Sequence, residues 1–373
     1  PVAASFSTQL WHLVLFRSTT FIGVCVELVA AVTWLAELFE DKRTRELAIG
    51  WTLATASLGG IFVTEVYNLI VAHAASFPAL PVAEGFNPHA PWRYTLLTGL
   101  VPGALILGLL PFVPESRVWL EKKRAGTLRR PRFGELFAPD LKLTTAVTAI
   151  LSACGYAAAF GALQLTPLQM VPGLPDIAKQ RAEAVAQQKA AKPGTPEEAD
   201  AKKAMAAVGK AIQERRGNIQ RWQELGGLTG RILLAVLLIY LSPRTLLRVF
   251  VVPGVFLFPL TYLELIKGDY TIFAIAIFFC GLLTVGQFSF ISEFLPKVFP
   301  LHLRGTGGSF ATNVGGRMIG TMAATLNTEV VSAQFGGGPM GVATAAAVIG
   351  GSVYLIALVM TFLLPAPQVE EPK

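Results

Sequence analysis

Apolar stretches long enough to cross a membrane recur along this chain of 373 residues. A transmembrane helix needs roughly 20 apolar residues, because each residue adds about 1.5 Å across a hydrocarbon layer of about 30 Å. We predict nine such helices, at residues 12–38, 47–72, 94–113, 143–165, 225–242, 247–266, 271–294, 306–331 and 341–364. Only 15% of the residues are charged, against about 25% in soluble domains. The sequence predicts an all-α, multi-pass membrane protein in a lipid bilayer.

One apolar stretch holds an arginine in a glycine-rich segment, Asn313 to Gly320. A charge at membrane depth is costly unless water or a polar partner receives it, so Arg317 favours a transport function. Asn313 and Arg317 are four residues apart, which predicts that they share a helix face about 6 Å apart along the axis. Gly316 and Gly320 form a small-residue pair that would let another helix approach.

Basic residues set a predicted orientation. They concentrate in four connections, at Lys42 to Arg45, Arg117 to Arg132, Arg244 to Arg248 and Lys297 to Arg304. The other short connections hold only Arg93 and Lys267, so the four basic connections should be cytoplasmic. The acidic tail with Glu370 and Glu371 then lies on the same side. The net charge of +7 is explained by these orientation-setting basic residues. The sequence contains no basic patch with interleaved aromatic residues of the kind that binds nucleic acid.

A polar segment, residues 176–224, separates the fourth and fifth apolar stretches. It is rich in Ala, Lys, Glu and Gln and is broken by Lys192-Pro193-Gly194. Thr195 to Glu198 is typical of an N-cap, a first-turn proline and a capping-box glutamate. We predict a helical hairpin outside the membrane, on the extracytoplasmic side, either as solvated decoration or as a lid or partner-binding element.

Short motifs follow the apolar stretches at characteristic places. They are Arg17, Gly23-Val24-Cys25-Val26-Glu27, Ala36-Glu37-Leu38-Phe39 with Arg43 and Arg45, Pro91-Trp92-Arg93, Pro114-Glu115-Ser116-Arg117-Val118-Trp119-Leu120 and Phe299-Pro300-Leu301-His302-Leu303-Arg304-Gly305. With them the chain resembles the major facilitator superfamily (MFS), closest to its sugar-porter and metabolite:proton symporter branches, over nearly all residues except the insert.

The resemblance implies a two-bundle carrier of twelve helices, of which this chain looks like helices four to twelve. The implied layout is a partial first bundle at 1–113, a cytoplasmic linker at 114–142, a six-helix bundle at 143–364 with the insert at 176–224, and a cytoplasmic tail at 365–373. Helices one to three, and the loop between helices two and three, have no counterpart. Glu40, Arg117 and Lys297 depart from the family pattern, so its cytoplasmic charge network is not carried over intact.

In such carriers, solute binds near mid-membrane and the bundles rock around it. The candidates for solute binding or coupling are Glu27, Arg17, Gln164, Asn313, Arg317 and Arg231. A carboxyl group in hydrocarbon favours its neutral form, so Glu27 is a candidate proton carrier, with a static ion pair as the alternative. Gln164 and Arg317 have structural alternatives as well, a packing hydrogen bond and an ion pair. Arg231 has one too, since it could extend to the interface.

A second set of charged residues lies on the predicted cytoplasmic face. Its members are Glu37, Arg45, Glu115, Arg117 and Arg304. We predict that they form ion pairs that break when the carrier switches state, with solvated charges that only set orientation as the alternative.

Other classes of protein fit the sequence less well. His12, His73, His89 and His302 stand near the ends of apolar stretches, with no metalloprotease, nucleophile-elbow or P-loop spacing, so no catalytic residue, metal or cofactor is expected. The three cysteines are expected to be small buried residues. A channel would need a filter segment that the sequence lacks.

The sequence thus predicts a monomeric MFS-type symporter in the inner cell membrane that moves a small polar solute with protons. A sugar is the first expectation for the solute, and an organic acid or another metabolite is the second. A carrier-like protein that senses its solute, or a non-transporting remnant, is the remaining alternative.

Overall fold

The computed structural model describes the chain except for residues 40–41, 116, 127–131, 192–193, 239 and 366–373. Predictions for Glu40, for Ser116 and for the tail residues Glu370 and Glu371 lie outside the described residues. Within several helices the backbone is described and some side chains are not, and this applies to Glu27, Glu37, Arg45 and Arg117 among the predicted functional residues.

The described residues are almost entirely helical. The α-helices are α1 (Val2–Ser5), α2 (Leu10–Leu38), α3 (Lys42–His73), α4 (Pro91–Thr98), α5 (Leu100–Leu109), α6 (Arg117–Arg124), α7 (Lys142–Ala158), α8 (Pro175–Ala190), α9 (Pro196–Leu237), α10 (Pro243–Leu263), α11 (Tyr270–Phe294), α12 (Arg304–Ser309), α13 (Ala323–Thr325), α14 (Ser332–Gln334) and α15 (Gly338–Phe362). They fall into two units, Pro1–Arg130 and Pro131–Lys373.

Six helical stretches of the described chain are long and apolar enough to cross a membrane. They are Leu58–Ser76, Pro91–Phe112, Lys142–Gly173, Pro243–Lys267, Tyr270–Phe288 and Gly338–Phe362. Each overlaps a predicted stretch, which confirms the all-α membrane fold class. The predicted stretches at 12–38, 225–242 and 306–331 are also helical, and their crossing of the membrane stays a prediction.

The first unit contains α1 to α6 and a small core of Ile70, Ala74 and Tyr94. The Tyr94 hydroxyl donates to the carbonyl oxygens of Pro78 at 2.8 Å and Pro88 at 3.1 Å. These bonds hold the connection between α3 and α4 against α4. The Trp34 indole N–H donates to the carbonyl of Pro114 at 2.9 Å, so α2 contacts the segment that follows α5.

The second unit has its most extensive helix contact between α9 and α11. Gly226 and Gly230 of α9 lie so close to α11 that a Cβ atom on either would overlap the carbonyl oxygen of Phe278 or Leu282. Two glycines four residues apart let helix backbones approach in this way. The crossing fixes which face of α9 points toward α11.

Two further contacts in this unit also depend on glycine. Gly254 of α10 lies against the ring of Tyr354, and Gly350 of α15 lies against Phe258. Gly315 of the segment after α12 lies against the backbone of Ala149 in α7. Large aromatic side chains and helix backbones therefore fill the space that these glycines leave.

Several turns depart from α-helical geometry. Residues Ala159–Leu163, Thr166–Met170, Phe310–Ile319 and Leu326–Val331 form π-helical turns. They continue α7 and join α12, α13 and α14. Such turns are rare and occur often at functional sites.

The polar insert is a helical hairpin, as predicted, but its second helix does not end with the insert. α8 and α9 pack through Ile177, Ala184, Ala201 and Val208, which are buried, and α9 then continues without a break to Leu237. The predicted boundary of the insert at residue 224 therefore falls within one continuous helix.

The start of α9 differs in detail from the predicted capping box. Pro196 occupies the first turn as expected, and Thr195 is the N-cap residue without a side-chain cap bond. The Glu198 carboxylate instead accepts from the backbone N–H of Gly194 at 2.7 Å, where φ is +78°. Its hydrogen bonds with Lys202 and Gly194 lower the pKa of Glu198.

Candidate functional site

Three polar residues of α9 form a stripe along one side of the helix, and we call Gln220, Glu224 and Arg231 the α9 stripe. Their spacings of four and seven residues place them on nearly the same side at about 100° per residue. The Gln220 side-chain amide donates to Oε1 of Glu224 at 2.8 Å. All three side chains are half-buried.

The glycine crossing determines where the stripe points. Gly226 and Gly230 face α11, and the stripe lies roughly 120° around the helix from them. It therefore does not face the contact with α11. Arg231 interacts electrostatically with Glu224 and with Tyr156 of α7, so the stripe is turned toward α7.

Tyr156 lies at the centre of an aromatic group beside the stripe. Its ring stacks on Phe160, with centroids 6.1 Å apart, and tilts against Phe288 of α11 at 4.8 Å. Gly316 and Gly320 lie directly against Tyr156, which confirms the predicted approach of another helix at this glycine pair. An aromatic ring and a charged stripe thus meet within the second unit.

A ladder of polar side chains runs along the segment from Ser309 to Thr321. Arg317 donates to Oδ1 of Asn313 at 3.1 Å, and the Asn313 amide donates to the Ser309 hydroxyl at 3.0 Å. The Thr321 hydroxyl donates to the carbonyl of Arg317. Asn313 and Arg317 lie on one side of the segment, as their four-residue spacing predicted, although the backbone from 310 to 319 is π-helical. Arg317 is half-buried.

Two glutamines lie near these groups in sequence and differ in their surroundings. Gln164 is half-buried between the two π-helical segments that follow α7. Gln287 of α11 is 4% exposed, and its side chain interacts with the Tyr354 hydroxyl. It therefore belongs to the buried polar contacts between α11 and α15.

Sequence reasoning missed two polar residues. Asn327 is fully buried and donates to the carbonyl of Gly161 at 2.6 Å, which joins the end of α7 to the segment before α14. Glu224 was included in the solvated insert, so its contact with Gln220 was not predicted. The signal that could have found it is the four-residue spacing of the two polar groups just ahead of Gly226 and Gly230.

In the first unit the predicted residues are dispersed. Arg17 is exposed on α2, and Glu27 lies on the same helix with its side chain outside the described residues. Arg93 is buried instead, donating to the carbonyl of Ser5 at 2.7 Å and lying 4.4 Å from the Trp92 ring centroid. The described contacts place this Trp-Arg motif in a structural position.

The predicted cytoplasmic residues are described only in part. Glu115 is exposed, and Arg304 is half-buried at the start of α12. The side chains of Glu37, Arg45 and Arg117 lie outside the described residues. A nearby pair that was not predicted joins His302 Nε2 to the Glu135 carboxylate at 2.9 Å.

The cysteines and histidines form no metal cluster among the described residues. Cys154 and Cys280 are buried, as predicted, whereas Cys25 is half-buried. Two cavities, of about 280 and 330 Å³, open at Arg93 and at Arg215. Neither is lined by the α9 stripe or by the Arg317 ladder.

These observations define an all-α, multi-pass membrane protein with polar groups held between glycine-packed helices. Residues 2–130 match the family described as "Sugar (and other) transporter", and over this segment the chain is similar to that family. The match confirms the resemblance to MFS sugar transporters and places the protein with transporters rather than enzymes. No curated protein matches the chain.

Proposed function

We propose that the protein moves a small polar organic solute across the inner cell membrane by alternating access, with protons moving in the same direction. The match of residues 2–130 to the family of sugar and other transporters carries this proposal. A transporter of that family needs polar groups at membrane depth to replace the water around its solute, and the second unit contains several.

The solute-contacting residues in this proposal come from the second unit. Gln164, Asn313 and Arg231 offer amide and guanidinium groups suited to hydroxyl or carboxylate oxygens. Arg317 adds a second guanidinium next to Asn313. Their half-buried positions on helices with π-helical turns or glycine contacts support this role, because such positions hold polar groups beside close-packed backbones.

A sugar is the preferred solute over an organic acid. The Arg231 guanidinium alone would favour an acid, but Glu224 lies on the same side of α9 and interacts with it. The stripe therefore carries charges of opposite sign, which favours an uncharged solute with several hydroxyl groups. An acid would meet the Glu224 carboxylate as well as the guanidinium.

Coupling and gating are assigned to the residues predicted from the sequence. Arg17 and Glu27 are proposed for proton coupling in the first unit, and Glu37, Arg45, Glu115, Arg117 and Arg304 for the cytoplasmic gate. The layout predicted from the sequence, with a linker between two bundles and a monomeric carrier, is part of the same proposal. A solute sensor that does not transport is the alternative.

Uptake into vesicles tests the function. The full protein is reconstituted and offered a radiolabelled hexose, pentose, monocarboxylate and dicarboxylate, with and without an inward proton gradient. A carrier accumulates its solute only with the gradient. A sensor binds a solute in equilibrium dialysis and accumulates none, and that result would reject transport.

Labelling tests the gate. Single cysteines placed near the predicted inner mouth are labelled in the parent protein and in variants Glu115→Ala and Arg304→Ala. We expect faster labelling in both variants, because ion pairs that close the mouth are lost. Equal labelling rates would remove these two residues from the gate.

A further inference from the structure

We propose that Glu224 is the carboxyl group that binds the coupled proton, with Gln220 as its positioning residue and Arg231 as its counter-charge. This inference rests on the proposed proton-linked transport and assigns the proton to the second unit. Glu27 remains the rival carboxyl group in the first unit.

The position of Glu224 is fixed by the helix that carries it. Only one residue separates it from the start of the Gly226–Gly230 contact with α11, so its backbone cannot shift without separating two helices. It is half-buried, and its position around the helix lies to one side of the Gly226–Gly230 contact. The carboxyl group is thus held rigidly beside the space that α7 and Tyr156 border.

Some local contacts of Glu224 favour its ionised form, and others favour its protonated form. Partial burial disfavours the carboxylate, whereas Arg231, about 10.5 Å farther along the helix axis, favours it. The amide N–H of Gln220 can donate to the carboxyl oxygen in either state, since a protonated carboxyl keeps an acceptor. Opposing effects of this kind let a modest change in the surroundings move the proton.

Few other charged groups lie nearby in the described chain. At the crossing α11 presents the backbone of Phe278 and Leu282 and the side chain of Val285, and α7 contributes Tyr156 next to Arg231. Farther along α9, Arg215 pairs with Asp176 of α8 at 2.8 Å and lies 3.8 Å from the Tyr270 ring centroid. Arg216 donates to the carbonyl of Leu168 in the π-helical segment after α7, and Arg221 is exposed. Arg231 is the charged group that acts on Glu224.

Protonation of Glu224 changes the charge of the stripe. With the carboxylate ionised, Glu224 and Arg231 sum to zero, and with the proton bound the pair carries one positive charge. The neutral carboxyl also gains an O–H donor that the carboxylate lacks. A solute oxygen that accepts from this O–H binds better to the protonated form, and this difference in affinity links solute binding to proton binding.

The decisive variant is Glu224→Gln, tested in vesicles with the solute that the unaltered protein accumulates. One pH unit can drive accumulation of up to about tenfold when one proton accompanies one solute. We expect Glu224→Gln to lose this accumulation and to keep exchange of labelled for unlabelled solute at equal pH. Retention of gradient-driven accumulation would overturn the inference.

Matched variants separate this role from others. Glu198→Gln changes an exposed glutamate of the same helix and should behave as the parent protein does. Glu27→Gln changes the rival carboxyl group. Loss of accumulation in Glu27→Gln, with accumulation retained in Glu224→Gln, would assign the proton to the first unit.

The parent protein tests proton coupling and transport themselves. If the parent protein exchanges solute and ignores the gradient, proton coupling itself is rejected. If the parent protein neither exchanges nor accumulates any solute, transport is rejected together with the inference.

Two milder variants keep the test valid if Glu224→Gln does not fold. Glu224→Asp keeps a titratable group and should keep accumulation with a changed pH profile. Gln220→Leu removes the hydrogen bond to the carboxyl and should shift the pH at which exchange is half-maximal. Unchanged pH profiles in both variants would show that Glu224 does not bind the coupled proton.

Discussion

Many glycines in the membrane helices of the second unit lie against neighbouring helices, whereas the described glycines of α2, α3 and α5 do not. A Cβ on Gly226 or Gly315 would overlap a backbone carbonyl of another helix. A Cβ on Gly23, Gly59 or Gly103 would meet nothing within 4 Å in the described chain. The same residue type therefore marks close helix packing in one unit and open helix surface in the other.

This difference teaches that glycine content does not by itself predict a helix contact. Gly226 and Gly230 form a helix contact because the backbone of α11 passes directly over them. The large core of the second unit surrounds that crossing. Among its described side chains, the first unit has a core of a few buried apolar residues. Its helices expose large apolar side chains such as Phe62 and Leu107, as lipid-facing helices do.

The largest effect is expected from Gly226→Ala. The added methyl group would overlap the Phe278 carbonyl oxygen and separate two helices, at a cost of about 3 kcal/mol for overpacking. Thermal unfolding of the purified protein in detergent measures it. Gly209→Ala on the same helix is the control, since nothing lies within 4 Å of that position, and equal melting temperatures for the two variants would contradict the close crossing.

A somewhat smaller loss is expected from Asn327→Ala. The variant leaves the Gly161 carbonyl without its 2.6 Å hydrogen bond, which should cost about 1–3 kcal/mol because the group is buried. The exposed amide of Gln334 provides a control in Gln334→Ala. If both variants unfold at the same temperature, then Asn327 does not tie α7 to the following segments.

Loss of a partly exposed ion pair should lower the stability of the protein by less. Arg215→Gln breaks the 2.8 Å contact between Arg215 and Asp176, and these two side chains are 35% and 34% exposed. After screening by solvent, such a pair is worth below about 1 kcal/mol. Protease cleavage within the hairpin measures its local stability, and a large rise in the cleavage rate would show that the pair holds the hairpin in place.

The smallest effect is expected in the first unit, from Gly59→Ala. Alanine favours a helix over glycine, and no neighbour in the described chain obstructs the methyl group, so stability should be unchanged or rise by about 0.5 kcal/mol. Thermal unfolding decides this as well. A loss as large as that of Gly226→Ala would break the comparison between the units.

The parts of the fold that sequence predicted are those governed by local composition. Apolar length predicted the helices, and the four-residue spacing of Asn313 and Arg317 predicted that they share one side of their helix. The pair Gly316 and Gly320 predicted a close neighbour but not its identity. Tyr156 became that neighbour through the way α7 crosses the segment, and no spacing along the chain encodes such a crossing.

The parts that sequence did not predict depend on contacts between distant segments. The π-helical turns near Gln164 shift the register of side chains, and apolar periodicity does not reveal them. Asn327 bonds Gly161 across the unit, so a lone polar residue in an apolar stretch gave no sign of its partner. Glu224 was misplaced because charge made its segment resemble the solvated hairpin.

The unbroken course of α9 makes the hairpin a lever. Lys203 and the Gly226 crossing are joined by a single helix, roughly 35 Å long at 1.5 Å per residue. A tilt of about 10° at the crossing would move Lys203 by about 6 Å, if the helix behaves as a straight rod. A fluorophore on Lys203 would therefore magnify small rotations of the helix that carries Glu224, and would report them from a position far from the carboxyl group.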